Sequence, residues 1–175
     1  MWDEIVSCAA HESTLWGDMA RNGAEPEAVF SPLADERFAI GLETIYEGYL
    51  VHYATGRLFA PTDPDTALLL GDYLYAHGLV RVAELHDVAA VADLSELISL
   101  SSQLRAESAP GDGALWAATA ALLGSGRGLE EGRASLRLRG DATRLEAAAR
   151  GAAGDEAVDR ALAAHLVRIG LNEAA

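Results

Sequence analysis

Apolar residues recur along this chain at intervals of three and four, and the strict alternation of a half-buried strand is almost missing. That pattern predicts helices from end to end. A first segment, about 2–21, places Ile5, Val6, Leu15, Trp16 and Met19 on one broad face and stops at Asn22-Gly23. A second begins at Ser31-Pro32, a cap followed by proline at the first helical position, and runs through Phe38, Ile40, Leu42, Ile45 and Tyr49 to about Tyr53. Gly56 and Pro61-Thr62-Asp63-Pro64 break the pattern. The third helix starts there with Asp63 as its cap, and its run Ala67-Leu68-Leu69-Leu70, apolar all round, is expected inside a bundle. Asp87 caps a fourth, about 88–107, whose stripe is Val88, Val91, Leu94, Leu97, Ile98 and Leu104. After Pro110-Gly111-Asp112-Gly113 comes a short helix of small residues, Ala114 to Leu123. Two weaker helices, about 129–150 and 155–170, follow the glycine-rich stretch 124–128, with Asp155 capping the last. The expectation is one all-α domain over residues 1–175, a bundle of six to seven helices with no internal repeat.

Composition narrows the chemistry. The chain has 175 residues, half of them hydrophobic, with 27 acidic side chains against 13 basic ones and a net charge of -14. Every basic residue is arginine; there is no lysine. Nucleic acid and anionic membranes need clustered positive charge and are therefore not expected as partners. Without lysine there is no Schiff-base chemistry, no Walker-type phosphate loop and no lysine general base. The one cysteine, Cys8, cannot form an intrachain disulfide, which predicts a reducing, cytoplasmic setting. The acidic start Met1-Trp2-Asp3-Glu4 is unlike a signal peptide, and no apolar run approaches the roughly 20 residues of a transmembrane span.

The polar stretch between Glu43 and Tyr53 is the richest. Glu43 and Glu47 stand one turn apart on one face, with His52 on the following turns, and Asp72 and His77 on the third helix could join them if the two helices pack side by side. Carboxylates and histidines projecting into a bundle hold di-iron centres, but those need paired Glu-x-x-His motifs. Here the residues three before His11, His52, His77, His86 and His165 are Cys8, Tyr49, Leu74, Ala83 and Leu162. The plainer reading is a solvated or core-edge polar face. Cys8 lacks a nearby basic group to lower its pKa and reads as buried and inert. Gly124-Ser125-Gly126-Arg127-Gly128 has no preceding strand and reads as a loop. Arg133, Arg137, Arg139 and Arg144 lie beside Glu130, Glu131 and Asp141 and read as solvated ion pairs.

Three segments together carry a resemblance. Leu68-Leu69-Leu70-Gly71-Asp72-Tyr73-Leu74-Tyr75-Ala76 resembles the helix after the active-site loop of trans-polyprenyl diphosphate synthases, and its Gly-Asp-Tyr is most similar to the small subunit of two-component heptaprenyl diphosphate synthases. Upstream, Glu43-x-x-Tyr46-x-x-Tyr49-Leu50-Val51-His52 is similar to the family's Glu-x-x-His-x-x-Ser-Leu-Ile-His. Downstream, Gly113-Ala114-Leu115-Trp116-Ala117-Ala118 resembles its Thr-Ala-x-Leu-Phe-x-Ala helix. The resemblance covers about residues 40–125 and implies a truncated isoprenoid-synthase fold.

The departures bear on activity. Where the family carries its first magnesium-binding motif, Asp-Asp-x-x-Asp, this chain reads Tyr53-Ala54-Thr55-Gly56-Arg57. Magnesium wants oxygen ligands in near-octahedral order, so Tyr53, Ala54 and Arg57 cannot replace the carboxylates, and Arg57 would repel the ion. The lysine-containing phosphate clamp has no counterpart. At the second motif, Gly151-Ala152-Ala153-Gly154-Asp155 retains one aspartate, and the family's chain continues for several helices past the point where this one stops. The resemblance thus implies a degenerate, non-catalytic member in isoprenoid biosynthesis, needing no cofactor, that acts as partner or regulatory subunit of a catalytic polyprenyl diphosphate synthase or associates with itself. Tyr73, Tyr75, Leu79, Leu94 and Ile98 are the candidate interface, although the same helical spacing suits core packing. Two alternatives stand beside this reading. One is a free-standing bundle binding an apolar or lipid ligand in a cavity near Ile45, Leu50 and Leu69. The other is a metal-binding enzyme using Glu43, Glu47 and His52.

Overall fold

A computed structural model describes residues 1–21, 23, 26–126 and 128–170. Among them the chain is all-α, with nine α-helices: α1 (Trp2–Glu12), α2 (Thr14–Asp18), α3 (Ala39–Tyr53), α4 (Pro64–Ala83), α5 (Val88–Ala106), α6 (Asp112–Leu122), α7 (Glu130–Arg139), α8 (Thr143–Ala153) and α9 (Asp155–Arg168). The count exceeds the expected six to seven because two long segments are broken by local polar chemistry. Ser13 adopts an extended conformation and its hydroxyl accepts from Leu15 N at 3.2 Å, which ends α1 and starts α2. Gly140, in the left-handed region at φ 67°, separates α7 from α8. Ser31-Pro32 opens a 3-10 turn (Ser31–Leu33), not the long helix expected there; a second such turn (Glu36–Phe38), capped by Asp35, precedes α3. Asp63 and Asp87 cap α4 and α5 as expected, accepting from Thr66 N at 2.9 Å and Ala90 N at 3.0 Å. Gly154, and not Asp155, is the cap position of α9. Asn22 and Arg127, within the expected stop and glycine-rich loop, lie outside the described residues.

The central helix is α3, buried along its whole length from Gly41 to Val51. It packs most closely on α4, and the contact is made by glycines spaced seven apart on each helix, two turns, so that they return to the same face. A Cβ on Gly78 would lie 2.5 Å from Ile45 Cγ1 and 2.8 Å from Gly41 O, and one on Gly48 would lie 3.0 Å from Gly71 O. The two backbones touch directly at both crossings. On the other side of α3, Phe30, Phe38, Tyr46, Tyr49, Leu94, Leu97, Trp116, Leu136, Leu145 and Val158 form the main core. A smaller cluster, Ile5, Ala9, Val51, Leu58, Phe59, Leu70 and Leu74, fastens α1 against α3 and α4.

The run Ala67-Leu68-Leu69-Leu70 departs from expectation. Leu70 is wholly buried, but Leu68 and Leu69 are 55% and 59% exposed, because α4 meets α3, α5 and α1 with its other faces and no described residue covers these two leucines. The cavity expected near Ile45, Leu50 and Leu69 is not formed: Ile45 and Leu50 are packed at 0% exposure and Leu69 faces outward. Among the described residues no helix is long and apolar enough to cross a membrane.

Candidate functional site

Two faces of α3 carry two buried polar nodes. Glu43 and Glu47, one turn apart, point toward the loop after α3, where Gly56 turns the chain and Arg57 re-enters the interior with 4% of its surface exposed. Its guanidinium bonds Glu43 Oε2 at 2.6 Å through Nη1 and Glu47 Oε2 at 3.1 Å through Nε. The remaining donors reach Glu27 O at 3.0 Å and Glu43 O at 3.2 Å. The carboxylates are equally committed. Glu43 Oε1 accepts from Val29 N and Ser31 N at 3.1 and 3.0 Å, and Glu47 Oε1 from Leu58 N and Phe59 N at 2.7 and 3.3 Å. Trp2 and Tyr46 lie under the guanidinium at 5.0 and 4.9 Å. Burial alone would lower the Arg57 pKa, but Glu43 and Glu47 outweigh it and hold it above its ordinary value. The node is a closed clasp that ties the segment around residues 27–31 and the loop 57–59 to α3.

The second node uses Tyr46 and Tyr49, on the face of α3 toward α5, α6 and α9. Tyr46 Oη is 2.9 Å from His165 Nδ1, and the Tyr49 hydroxyl donates to Asp112 Oδ2 in a short bond. Arg105 Nε donates to Tyr49 Oη at 2.6 Å, while its Nη2 lies 3.1 Å from Asp112 Oδ2. His165 Nε2 sits 3.5 Å from the same carboxylate oxygen. Burial pushes Asp112 up, but the neighbouring His165 imidazole, the bond from Tyr49 and the charge of Arg105 prevail and hold it at about 2. Burial pushes both tyrosines well above the ordinary phenol range, so both remain protonated donors. Around these groups the rings of Phe30, Tyr46, Tyr49 and Trp116 pack at 5.1–5.9 Å.

The expected polar pocket is therefore divided. Glu43 and Glu47 face Arg57. His52 Nε2 lies 3.4 Å from Asp72 Oδ1 at the edge of the α3–α4 contact, its pKa lowered by burial against the opposing pull of Asp72. His77 stacks on Tyr73 at 5.5 Å and faces α1, its pKa lowered by burial and then by Arg81. These five residues do not converge, and among the described residues no three His, Cys, Asp or Glu side chains are placed to hold a metal ion. Of the positions set against the resembled family's first motif, Tyr53 is exposed at the end of α3, Ala54 ends the helix, and Arg57 turns inward. A shallow groove of about 370 Å³ lies beside Ala54, Thr55 and Gly56, bounded by Arg21 and the start of α4. The expected interface is also corrected: Leu94 is wholly buried and Tyr75 is 8% exposed, so both are core residues. Leu79 and Ile98 are partly buried against the main core, and Tyr73 is partly buried beside the smaller one.

Asp112, Arg105 and His165 were not among the candidates. One signal pointed to His165: it follows Val158 by seven and Ala161 by four, which places it on the buried stripe of its helix. Comparison with protein families, curated proteins and solved structures finds no match to this chain.

Proposed function

We propose that this chain is a non-catalytic helical protein that works by docking, as the partner or regulatory subunit of a polyprenyl diphosphate synthase. The observation that supports the reading is the Arg57 clasp. In the family the chain resembles, the loop after this helix presents carboxylates to magnesium; here it presents an arginine that turns inward and saturates the two nearest carboxylates. Freeing Glu43 or Glu47 for a metal would strand a buried guanidinium and at least two backbone amides, which costs several kcal/mol. Without metal, ionisation of an allylic diphosphate loses its main electrostatic support.

The uncovered side of α4 supports docking over solitary existence. Leu68, Leu69 and Val80, each more than half exposed, share that side with Ala76. Purified protein supplied with Mg²⁺, an allylic diphosphate and isopentenyl diphosphate is expected to form no longer prenyl chain, and turnover would overturn the reading. Co-expressed with a complete synthase from the same genome, it is expected to co-purify and to change product length. Leu69→Asp should abolish co-purification.

A further inference from the structure

The first helix lies outside the stretch that resembles prenyl synthases, yet with α4 it builds an opening of distinctive chemistry. Glu4, Cys8, His11 and Glu12 fall on one stripe of α1, and Tyr73 and His77 stand one turn apart on α4 across from them. Between the two helices is a groove of about 460 Å³. Tyr73 and His77 stack at 5.5 Å on its α4 side, and Trp16 of α2, outside the groove, stacks on Tyr73 at 6.3 Å. Leu69 and Val80 continue this stripe as exposed apolar surface, four residues before and seven after Tyr73.

Two carboxylates, Glu4 and Glu12, line the groove, and no arginine does. The carboxylates are not equally free: Glu4 is bonded by Arg81, whereas Glu12 makes no ion pair among the described residues. Arg81 also lies 4.0 Å from Glu84. Carboxylates beside aromatic faces favour ammonium and guanidinium groups, which gain from both the charge and the ring quadrupole. An apolar shoulder on the same stripe favours leucine-like anchors alongside them.

We propose that the α1–α4 groove is the docking site for a basic amphipathic segment of a partner protein, its apolar side chains on Leu69, Tyr73 and Val80 and its lysines or arginines against Glu12 and the ring faces. A second copy of this chain suits the groove poorly. It carries a net charge of -14 and no lysine, and its exposed Arg137, Arg144 and Arg160 are already paired with Glu96, Glu131 and Glu156. The inference rests on the reading of this chain as a docking protein. To that reading it adds the chemistry of what docks, at a helix the family-like segment does not include.

Cys8, the only cysteine, is not buried as its sequence context suggested but half-buried on the groove wall, and it reports occupancy from there. The probe is a helical peptide of about 18 residues with leucines along one face and flanking lysines, beside a twin carrying glutamate for each lysine. At ten times its Kd, the lysine peptide should slow iodoacetamide alkylation of Cys8 about tenfold, and the glutamate twin should not. The variant Glu12→Gln changes one exposed side chain, so its fold is retained; its affinity should fall about fivefold, and Leu138→Ser on α7 should change nothing. Tyr73→Ala, checked for retained helicity, should weaken binding as well. Equal protection by both peptides, or tight binding of the lysine peptide with Cys8 fully reactive, overturns the proposal. The two readings fail separately. If no synthase co-purifies but the lysine peptide protects Cys8, the synthase reading falls and the groove stands. If a synthase binds and Cys8 stays reactive, the reverse holds.

Discussion

The two polar nodes on α3 occupy the same helix, but they are built differently: the clasp is sealed from solvent, while the Arg105 and Asp112 side chains keep 23% and 11% of their surface exposed. The clasp of Arg57, Glu43 and Glu47 takes its hydrogen bonds from residues 27–59, with Trp2 packed on the guanidinium, and both carboxylates use both oxygens. The cluster around Asp112 joins residues 46, 49, 105, 112 and 165, with His165 Nε2 at 3.5 Å and the Trp116 Nε1 hydrogen without a partner. The first is a local device that folds the chain's own loops onto α3. The second is a long-range one that tells α5, α6 and α9 where to sit. A local clasp is fully satisfied because neighbouring backbone amides are at hand; a long-range one must bring side chains from four helices to one point.

Removing Arg57 should have the largest effect. Arg57→Ala leaves two wholly buried carboxylates facing each other and is expected to cost about 3–5 kcal/mol, read as a lower urea midpoint. Arg57→Lys should recover little, since one ammonium cannot make a forked contact to two carboxylates and two carbonyls. The apolar triple variant Glu43→Leu, Glu47→Leu, Arg57→Met sharpens the point. A simple buried ion pair tolerates such replacement, whereas here four backbone amides lose their acceptors, so the triple should also be destabilised.

The Asp112 node should be sensitive to acid. The folded-state pKa of Asp112 is lowered to about 2 from an ordinary 3.8. Its contribution is therefore complete above about pH 4 and is lost as pH falls toward about 2, amounting to on the order of 2 kcal/mol. Asp112→Asn should flatten that part of the stability–pH curve. The Arg57 pKa is raised instead, so its charge persists throughout the accessible range, and the Asn variant leaves the clasp untouched.

His165→Phe keeps the ring stack but removes the bond to Tyr46 and the contact with Asp112. A loss of about 1–3 kcal/mol is expected, with amide exchange in α9 rising before that in α3. If α3 loosens equally, the two nodes are one cooperative unit and the contrast between them fails. The smallest effect belongs to the exposed pair Arg144–Glu131, 2.8 Å apart with side chains 63% and 84% exposed. Arg144→Ala should change stability by less than about 0.5 kcal/mol, and that little should vanish at high salt.

The sequence by itself determined that this chain is helical, where α4 and α5 begin, and that Glu43 and Glu47 share one face, because capping, proline placement and the helical period act over a few residues. It also placed Arg57 just past the end of α3, though not with its guanidinium turned inward to meet those glutamates. Seven-residue glycine spacing on α3 and α4 was present in the letters, but only the packed pair reveals that Gly41 meets Gly78 and Gly48 meets Gly71. The union of Tyr49 with Asp112, the place of His165 and the bare outer side of α4 were decided by the tertiary structure. Each depends on which of several equally amphipathic helices lies beside which, and that choice is made by the fit of whole faces, not by any short stretch of sequence.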